Sequence, residues 1–170
     1  ETTGLDPTRH EITEVGIIVA KQETDLFGKR SLIEVAAEEI LLVPDRLEDA
    51  DPGALRVNRF HTRDRSGALP QREGLARVAE LISGTVFVAQ NVTFDWSFLF
   101  LSGKRHGIDF DRQLFYHKLD LGSMAIGKLY QDPSQKKFTL RAITERFGVK
   151  NLDAHTALSD ARATFEAAKR

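Results

Sequence analysis

Asp160 is the residue whose position in this sequence most directly suggests chemistry. It belongs to a set at helical spacing that predicts one inward-facing stripe on the last helix. The set is Ala157, Asp160, Ala161, Thr164, Phe165 and Ala168, and the predicted outer face carries Arg162, Glu166 and Lys169. An ionised carboxylate on a buried face is costly unless it is paired or binds a metal ion. Asp160 is therefore either a metal ligand or a first-turn acid stabilised by the helix dipole.

A histidine and a second acid also stand at predicted helix starts. His155 precedes Asp160 by five residues. Beside a metal site it would serve as a general base, and elsewhere it would be an ordinary surface group. Asp95 follows a predicted strand, at the carboxyl end where α/β sheets bind ligands. Its alternative is again an acid favoured by the helix dipole, and Asn91 is predicted to be a cap or turn residue.

The elements that must position these residues alternate along the chain. Apolar and β-branched runs predict strands at 11–20 and 32–43, joined by a turn. They also predict a buried strand at 85–89 and a short strand at 114–119. Helices are predicted to begin at Pro70, at Asn91 or Thr93, at Asp120, at Thr139 and near Thr156. Residues 45–68 are expected to form a loop with one short helical turn, in which the arginine-rich stretch 59–65 is solvated. This order predicts an α/β layered domain with a mixed sheet.

The composition excludes several classes of protein. The 170 residues include no cysteine, which excludes disulfides, thiolate catalysis and cysteine-based zinc sites. The 24 basic and 25 acidic residues argue against a polybasic coat, but they allow a protein that grips a few phosphates. No apolar run reaches the roughly 18 residues of a membrane-spanning helix, and no signal peptide is visible. A cytoplasmic protein without a membrane partner is expected.

Both ends of the sequence predict a domain cut from a longer chain. Residue 1 is Glu1, and the one methionine is Met124. The other end, Arg170, stops inside a predicted helix that has no cap. We therefore expect residues 1–170 to be a single domain trimmed at both ends.

The chemistry-bearing residues fall into an ordered set of motifs. Glu1-Thr2-Thr3-Gly4 matches the end of Asp-x-Glu-Thr-Thr-Gly, and residues 91–95 match Asn-x-x-Phe-Asp. Residues 155–164 match His-x4-Asp-Ala followed by Thr. Each motif alone is weak, but the ordered set, which spans the whole chain, resembles the DnaQ-like (DEDDh-type) 3′–5′ exonucleases. That group includes the proofreading subunit of bacterial replicative polymerases.

The resemblance implies a ribonuclease H-like mixed sheet flanked by helices, with the first strand largely missing from this chain. It implies that Glu1, Asp95, Asp160 and an aspartate two positions before Glu1 hold two Mg²⁺ or Mn²⁺ ions. His155 would deprotonate the attacking water. The implied substrate-binding residues are Thr2, Thr3, Gly4, Leu5 and Asn91.

The implied reaction releases 5′-mononucleotides from a nucleic-acid 3′ end, with single-stranded DNA favoured and a polymerase subunit as a further partner. Because the first aspartate is absent, the fragment itself is expected to risk inactivity. Two alternatives stay open: an exoribonuclease of the same family, and an inactive domain that binds nucleic acid or a polymerase.

Overall fold

A long antiparallel hairpin opens the fold in the computed structural model, which describes residues 1–150 and 156–170. Its strands are β1 (Glu14–Thr24) and β2 (Arg30–Val43). The turn between them is set by Asp25, whose carboxylate accepts the amide hydrogens of Phe27 and Lys29, both at 2.9 Å. Gly28 completes this turn with a φ of 78°, a conformation that glycine adopts at little cost. Both predicted strands of the hairpin are confirmed.

Three short strands extend the β-structure. β3 (Leu69–Pro70) pairs in parallel with the end of β2. β4 (Phe87–Ala89) and β5 (Lys118–Asp120) pair in parallel with each other as a second, two-stranded sheet. The first residues of the chain run antiparallel to the segment before β1, through a bridge between Thr2 and Ile12.

Seven α-helices lie within the described residues. They are α1 (Pro52–Val57), α2 (Gln71–Ile82), α3 (Val92–His106), α4 (Phe110–Gln113), α5 (Leu121–Leu129), α6 (Leu140–Phe147) and α7 (Ala157–Ala168). The region predicted as a loop with one helical turn holds both a 3₁₀ turn, Leu47–Asp49, and α1. Within the described ranges, none of these helices has the length and apolarity needed to cross a membrane.

Helices cover both faces of the hairpin. Val15, Ile17 and Val19 face a core that they share with α2 and α3. The alternate position Gly16 faces the opposite way, where the backbone of α7 lies directly against it. A second cluster joins α5, α6 and α7 around Ile143. The predicted mixed α/β sheet flanked by helices is confirmed.

The predicted inward stripe of α7 is wrong in its orientation. The most buried residues of the helix are Ala163 and Ala167, each 2% exposed, and neither belongs to the predicted stripe. Small side chains occupy this side because α7 lies close to β1, and apolar spacing alone does not reveal so close an approach. Asp160 stays on the packed side, three residues before Ala163, and is half-buried.

The strand predicted at 85–89 is also less buried than expected. Val86 and Val88 are 42% and 39% exposed. Their apolar character reflects a sheet face that no described element covers, whereas the sequence pattern predicted burial on both sides.

Gly16→Ala is expected to lower the free energy of unfolding by about 1–3 kcal/mol, because the added methyl group must push α7 away from β1. A Cβ atom at Gly16 would overlap backbone atoms of Ala157 and Leu158. Urea unfolding followed by circular dichroism measures the effect. Gly127→Ala in α5 is the matched control, since nothing lies within 4 Å of its Cβ position and alanine favours a helix. An unchanged midpoint for Gly16→Ala would contradict the packing of α7 on β1.

Candidate active site

The first four residues form a tightly held edge of the site. The main-chain oxygen of Glu1 accepts the amide hydrogen of Thr13 at 2.9 Å, which ties the start of the chain to the segment before β1. Asn58 donates from Nδ2 to the Thr2 main-chain oxygen at 2.7 Å. A Cβ atom at Gly4 would overlap the imidazole ring of His10, so a larger residue here would have to displace that ring. The backbone of residues 1–4 therefore has one fixed course.

Thr3 supports this course from inside the protein. Its side chain is fully buried, and its hydroxyl oxygen accepts the Glu11 amide hydrogen at 2.9 Å. Its own amide donates to the Glu11 oxygen at 2.8 Å, and its carbonyl accepts from Asp51 at 2.7 Å. Leu5, by contrast, is 81% exposed. Within this motif Thr3 holds the turn, and Leu5 is the side chain presented to solvent.

Asp95 lies in the first turn of α3, as predicted, and its side chain opens to solvent. The protein atoms around its remaining sides remove part of its hydration, and this burial raises the pKa of Asp95 to about 6. The negative charges of Glu1 and Asp120 raise the pKa further. Asp95 and Glu1, from two separate motifs, are thus close enough to influence each other.

The remaining predicted residues are placed in different ways. Asp160 lies in the first turn of α7, where its amide donates to the Thr156 oxygen at 3.1 Å. Asn91 occupies the N-cap position of α3 but makes no side-chain capping bond, and it is exposed. The predicted general base, His155, lies outside the described residues, so its place in the site stays a prediction.

The carboxylates are not all gathered into one cluster. Among residues 1–150 and 156–170, no group of three or more histidine, aspartate or glutamate side chains is placed to hold a metal ion together. The structure brings Glu1 and Asp95 into mutual influence but does not bring Asp160 into a set of three with them. The side chains of Glu1 and Asp95 both offer carboxylate oxygens, and the sequence has no cysteine. Such donors fit Mg²⁺ or Mn²⁺.

Asp120 is a residue of this region that the sequence analysis treated only as a helix cap. It does cap α5, accepting the Ser123 amide hydrogen at 2.6 Å. Its charge also acts on Asp95. The parallel pairing of β4 with β5 places Asp120 opposite Ala89, at the same edge from which α3 departs. That pairing is a long-range contact that no local pattern around Asp120 encodes.

The prediction of a solvated loop at 59–65 is wrong for two of its arginines. Arg63 turns inward and pairs with Glu14 and Glu39. Arg65 donates from Nη2 to the main-chain oxygens of Thr13 and Leu42, both at 2.8 Å. These guanidinium groups link the 59–65 stretch to β2 and to the start of β1, Arg63 through carboxylates and Arg65 through main-chain oxygens.

Comparisons with known proteins agree with this arrangement. A family model described as "Exonuclease" (RNase_T) matches residues 1–168. The DNA polymerase III PolC-type of Caldanaerobacter subterraneus subsp. tengcongensis is 29% identical over 169 residues, which is 98% of this chain and 11% of that protein. The 3′-5′ exonuclease DinG of Staphylococcus saprophyticus is 26% identical over 96% of this chain and 16% of its own length. The chain thus spans only a small part of the curated relatives it matches.

Solved structures show the same fold. The zinc-bound complex of E. coli ExoI with single-stranded DNA matches with a TM-score of 0.75 and 22% identity, over 99% of this chain and 38% of that one. E. coli exonuclease I in complex with a dA16 oligonucleotide matches with a TM-score of 0.72 and 20% identity over the same shares.

Proposed function

The chain belongs to the exonuclease family, and from this premise we propose that residues 1–170 act as a single domain that removes nucleotides from the 3′ end of single-stranded DNA. The observation that carries the proposal is the family match over residues 1–168, within which the predicted motifs occur in order. Relatives named as a PolC-type polymerase and as a 3′-5′ exonuclease support the direction of cutting and a role in proofreading beside a polymerase. The likeness to a complex with single-stranded DNA supports the choice of polymer.

Glu1, Asp95 and Asp160 are the residues that we propose as metal ligands. The family generally uses divalent metal ions. When bound, two such ions neutralise phosphate charge, activate a water molecule and stabilise the leaving oxygen. The raised pKa of Asp95, caused first by burial and then by the charges of Glu1 and Asp120, supports its assignment. A carboxyl group whose pKa is raised by burial and by neighbouring negative charges is typical of functional sites.

We assign the proton transfer to His155. A water oxygen attacks the terminal phosphorus, and the bond from phosphorus to the 3′ oxygen of the preceding nucleotide breaks. His155 takes the proton of the attacking water, because imidazole titrates near neutral pH. The leaving 3′ oxygen takes a proton from solvent water and becomes the new 3′-hydroxyl group, while the proton held by His155 returns to solvent. The released nucleotide carries the phosphate on its 5′ oxygen. Atoms and charge balance without an oxidant or reductant.

The backbone of residues 2–4 and the Leu5 side chain are proposed to seat the terminal nucleotide. The fixed course of this segment supports the assignment, because a rigid edge positions the scissile phosphate without further loss of entropy. Leu5, exposed at the end of the segment, is suited to contact a base or sugar. Thr3 contributes by holding the turn, and Asn91 stands at the start of α3, four residues before Asp95.

A competition between two polymers tests the proposal. The natural full-length protein is incubated with Mg²⁺ or Mn²⁺ and with 5′-labelled single-stranded DNA and RNA oligomers of the same sequence. A ladder that shortens from the 3′ end, faster on DNA than on RNA, is the expected result. Faster cutting of RNA would favour an exoribonuclease. No cutting of either polymer by folded protein would favour a domain that only binds nucleic acid or a polymerase.

A further inference from the structure

The start of α3 is held by a carboxylate from another element. Asn91 occupies the N-cap position but leaves the first amides of the helix without a side-chain partner. Asp120, at the end of β5, fills this role: its Oδ2 accepts the Val92 amide hydrogen at 2.9 Å. Its Oδ1 accepts the amide and hydroxyl hydrogens of Ser123, at 2.6 and 2.7 Å. One carboxylate therefore joins the starts of α3 and α5, and Asp95 follows Val92 by three residues.

The start of α7 is held in the same way from β1. Glu14 Oε1 accepts the Ala157 amide hydrogen at 2.7 Å, across 143 positions of sequence. Arg63 binds Oε2 of the same carboxylate and extends to Glu39 at 3.2 Å. Asp160 follows Ala157 by three residues, which is the spacing of Asp95 from the first residue of α3.

At α7 the contact from Glu14 is not needed simply to cap the helix. The local residue Thr156 already caps α7, accepting the Ser159 amide hydrogen at 3.2 Å. Glu14 is 2% exposed, and a buried carboxylate is costly unless it is well paired. A threonine or serine at the helix start would satisfy the amides at a smaller cost. What the distant carboxylate adds is a fixed position of the helix relative to the strand.

Both carboxylates are held in the ionised form that accepts these bonds. Burial alone would raise the pKa of Glu14, but the bonds from Arg63 and Ala157 outweigh it and hold the pKa below its usual value. Burial also acts to raise the pKa of Asp120, but the hydrogen bonds that its carboxylate accepts, first the one from Val92, lower the pKa below its ordinary range. Each group is therefore a permanent acceptor at neutral pH.

We propose that Asp120 and Glu14 are positioning residues, which hold the first turns of α3 and α7 against the strands and so fix the places of Asp95 and Asp160. This inference rests on the proposed function, because it gives the two acids a shared task. The acids lie about one helical turn beyond the held amides, so a small tilt of either helix displaces its carboxylate. A displacement of about 1 Å in a catalytic site costs about 10²-fold in rate.

Asp120→Asn and Glu14→Gln test the proposal in the natural full-length protein. The amide side chain of each variant has the size of the carboxylate that it replaces, but one of its oxygens becomes an NH₂ group. That NH₂ group faces an N–H or O–H donor and cannot accept its hydrogen bond, so one of the bonds made by the carboxylate is lost. The expected result is a kcat on a single-stranded DNA oligomer that falls by about 10- to 100-fold with KM unchanged. The dissociation constant for Mn²⁺, measured by calorimetry without nucleic acid, is expected to rise by about 10-fold or more.

Glu11→Gln is the matched control. Glu11 is 4% exposed and accepts bonds from Arg46, at the main-chain nitrogen at 2.9 Å and at Nε at 3.2 Å. It is a buried glutamate paired with an arginine, like Glu14, but it holds neither α3 nor α7. We expect Glu11→Gln to lower the unfolding midpoint and to leave kcat and Mn²⁺ binding unchanged.

The outcomes separate the inference from the function on which it rests. If both variants keep the wild-type kcat and Mn²⁺ affinity, the inference is overturned. Cutting by the wild-type protein would still support the proposed function in that case. Equal losses in the Glu11 control would also overturn it, since the effect would then be general destabilisation. A wild-type protein that neither cuts nor binds Mn²⁺ would overturn the function and the inference together. If Glu14→Gln does not fold, Asp120→Asn decides the test, because Asp120 is only half-buried.

Discussion

Replacing Asp95 by asparagine is expected to lower the rate of 3′-end cleavage by about 10³-fold or more, since charge stabilisation by metal ions is worth several kcal/mol and each 1.4 kcal/mol is a factor of ten. Asparagine keeps the shape of the side chain but removes the negative charge beside Glu1 that we propose a cation requires. Single-turnover cutting of a labelled DNA oligomer measures the effect. Asp111→Asn, at an exposed acid in the first turn of α4, is the control and should cut at the wild-type rate.

The same substitution is expected to stabilise the protein at neutral pH when a chelator removes divalent ions. Burial, followed by nearby negative charge, raises the pKa of Asp95 from 3.8 to about 6, so the ionised side chain destabilises the native state. Between these values the native state binds more protons than the unfolded state, and wild-type stability falls as the pH rises. The advantage of asparagine should therefore be present above a pH of about 6 and disappear below 3.8.

Urea unfolding of both proteins across this pH range measures the advantage. A variant that cut at the wild-type rate would remove Asp95 from the site. A variant less stable than the wild type at every pH would show that the carboxylate is a structural group. Loss of activity together with a gain in stability is the combination typical of residues retained for function.

His155→Ala is expected to slow cleavage by about 10²- to 10⁴-fold while leaving Mn²⁺ binding intact, because we propose His155 as the general base and not as a metal ligand. Pre-steady-state cutting measures the rate, and calorimetry with Mn²⁺ measures binding. His117→Ala is the matched control, since His117 is an exposed histidine just before β5. A loss of Mn²⁺ affinity in His155→Ala would instead make His155 a ligand, and an unchanged rate would exclude it from the reaction.

Features set by neighbouring residues could be predicted from the sequence. The Thr139 hydroxyl oxygen accepts the Ala142 amide hydrogen at 3.3 Å, as the predicted cap of α6 requires. Gly148 ends the same helix with a φ of 67°, a left-handed conformation suited to glycine. Caps and turns use atoms within four residues, so their chemistry is visible in local sequence.

Features set by distant partners could not be predicted in the same way. The buried side of α7 depends on how closely the helix approaches Gly16, and the inward turn of Arg63 depends on a glutamate 49 positions earlier. The helix ties from Asp120 and Glu14 are equally non-local. The motifs did predict that Asp95 would stand in a first helical turn, because Asp95 and the N-cap position Asn91 lie in one short segment.

Release of the terminal nucleotide from 3′-labelled single-stranded DNA tests the central claim most directly. The natural full-length protein is mixed with the labelled strand and Mg²⁺, and the first labelled product is identified after about one turnover. The account predicts a labelled 5′-mononucleotide as the first product, and no release when Asp95→Asn replaces the wild type. Labelled oligonucleotides as the first product, or release that persists in Asp95→Asn, would contradict it.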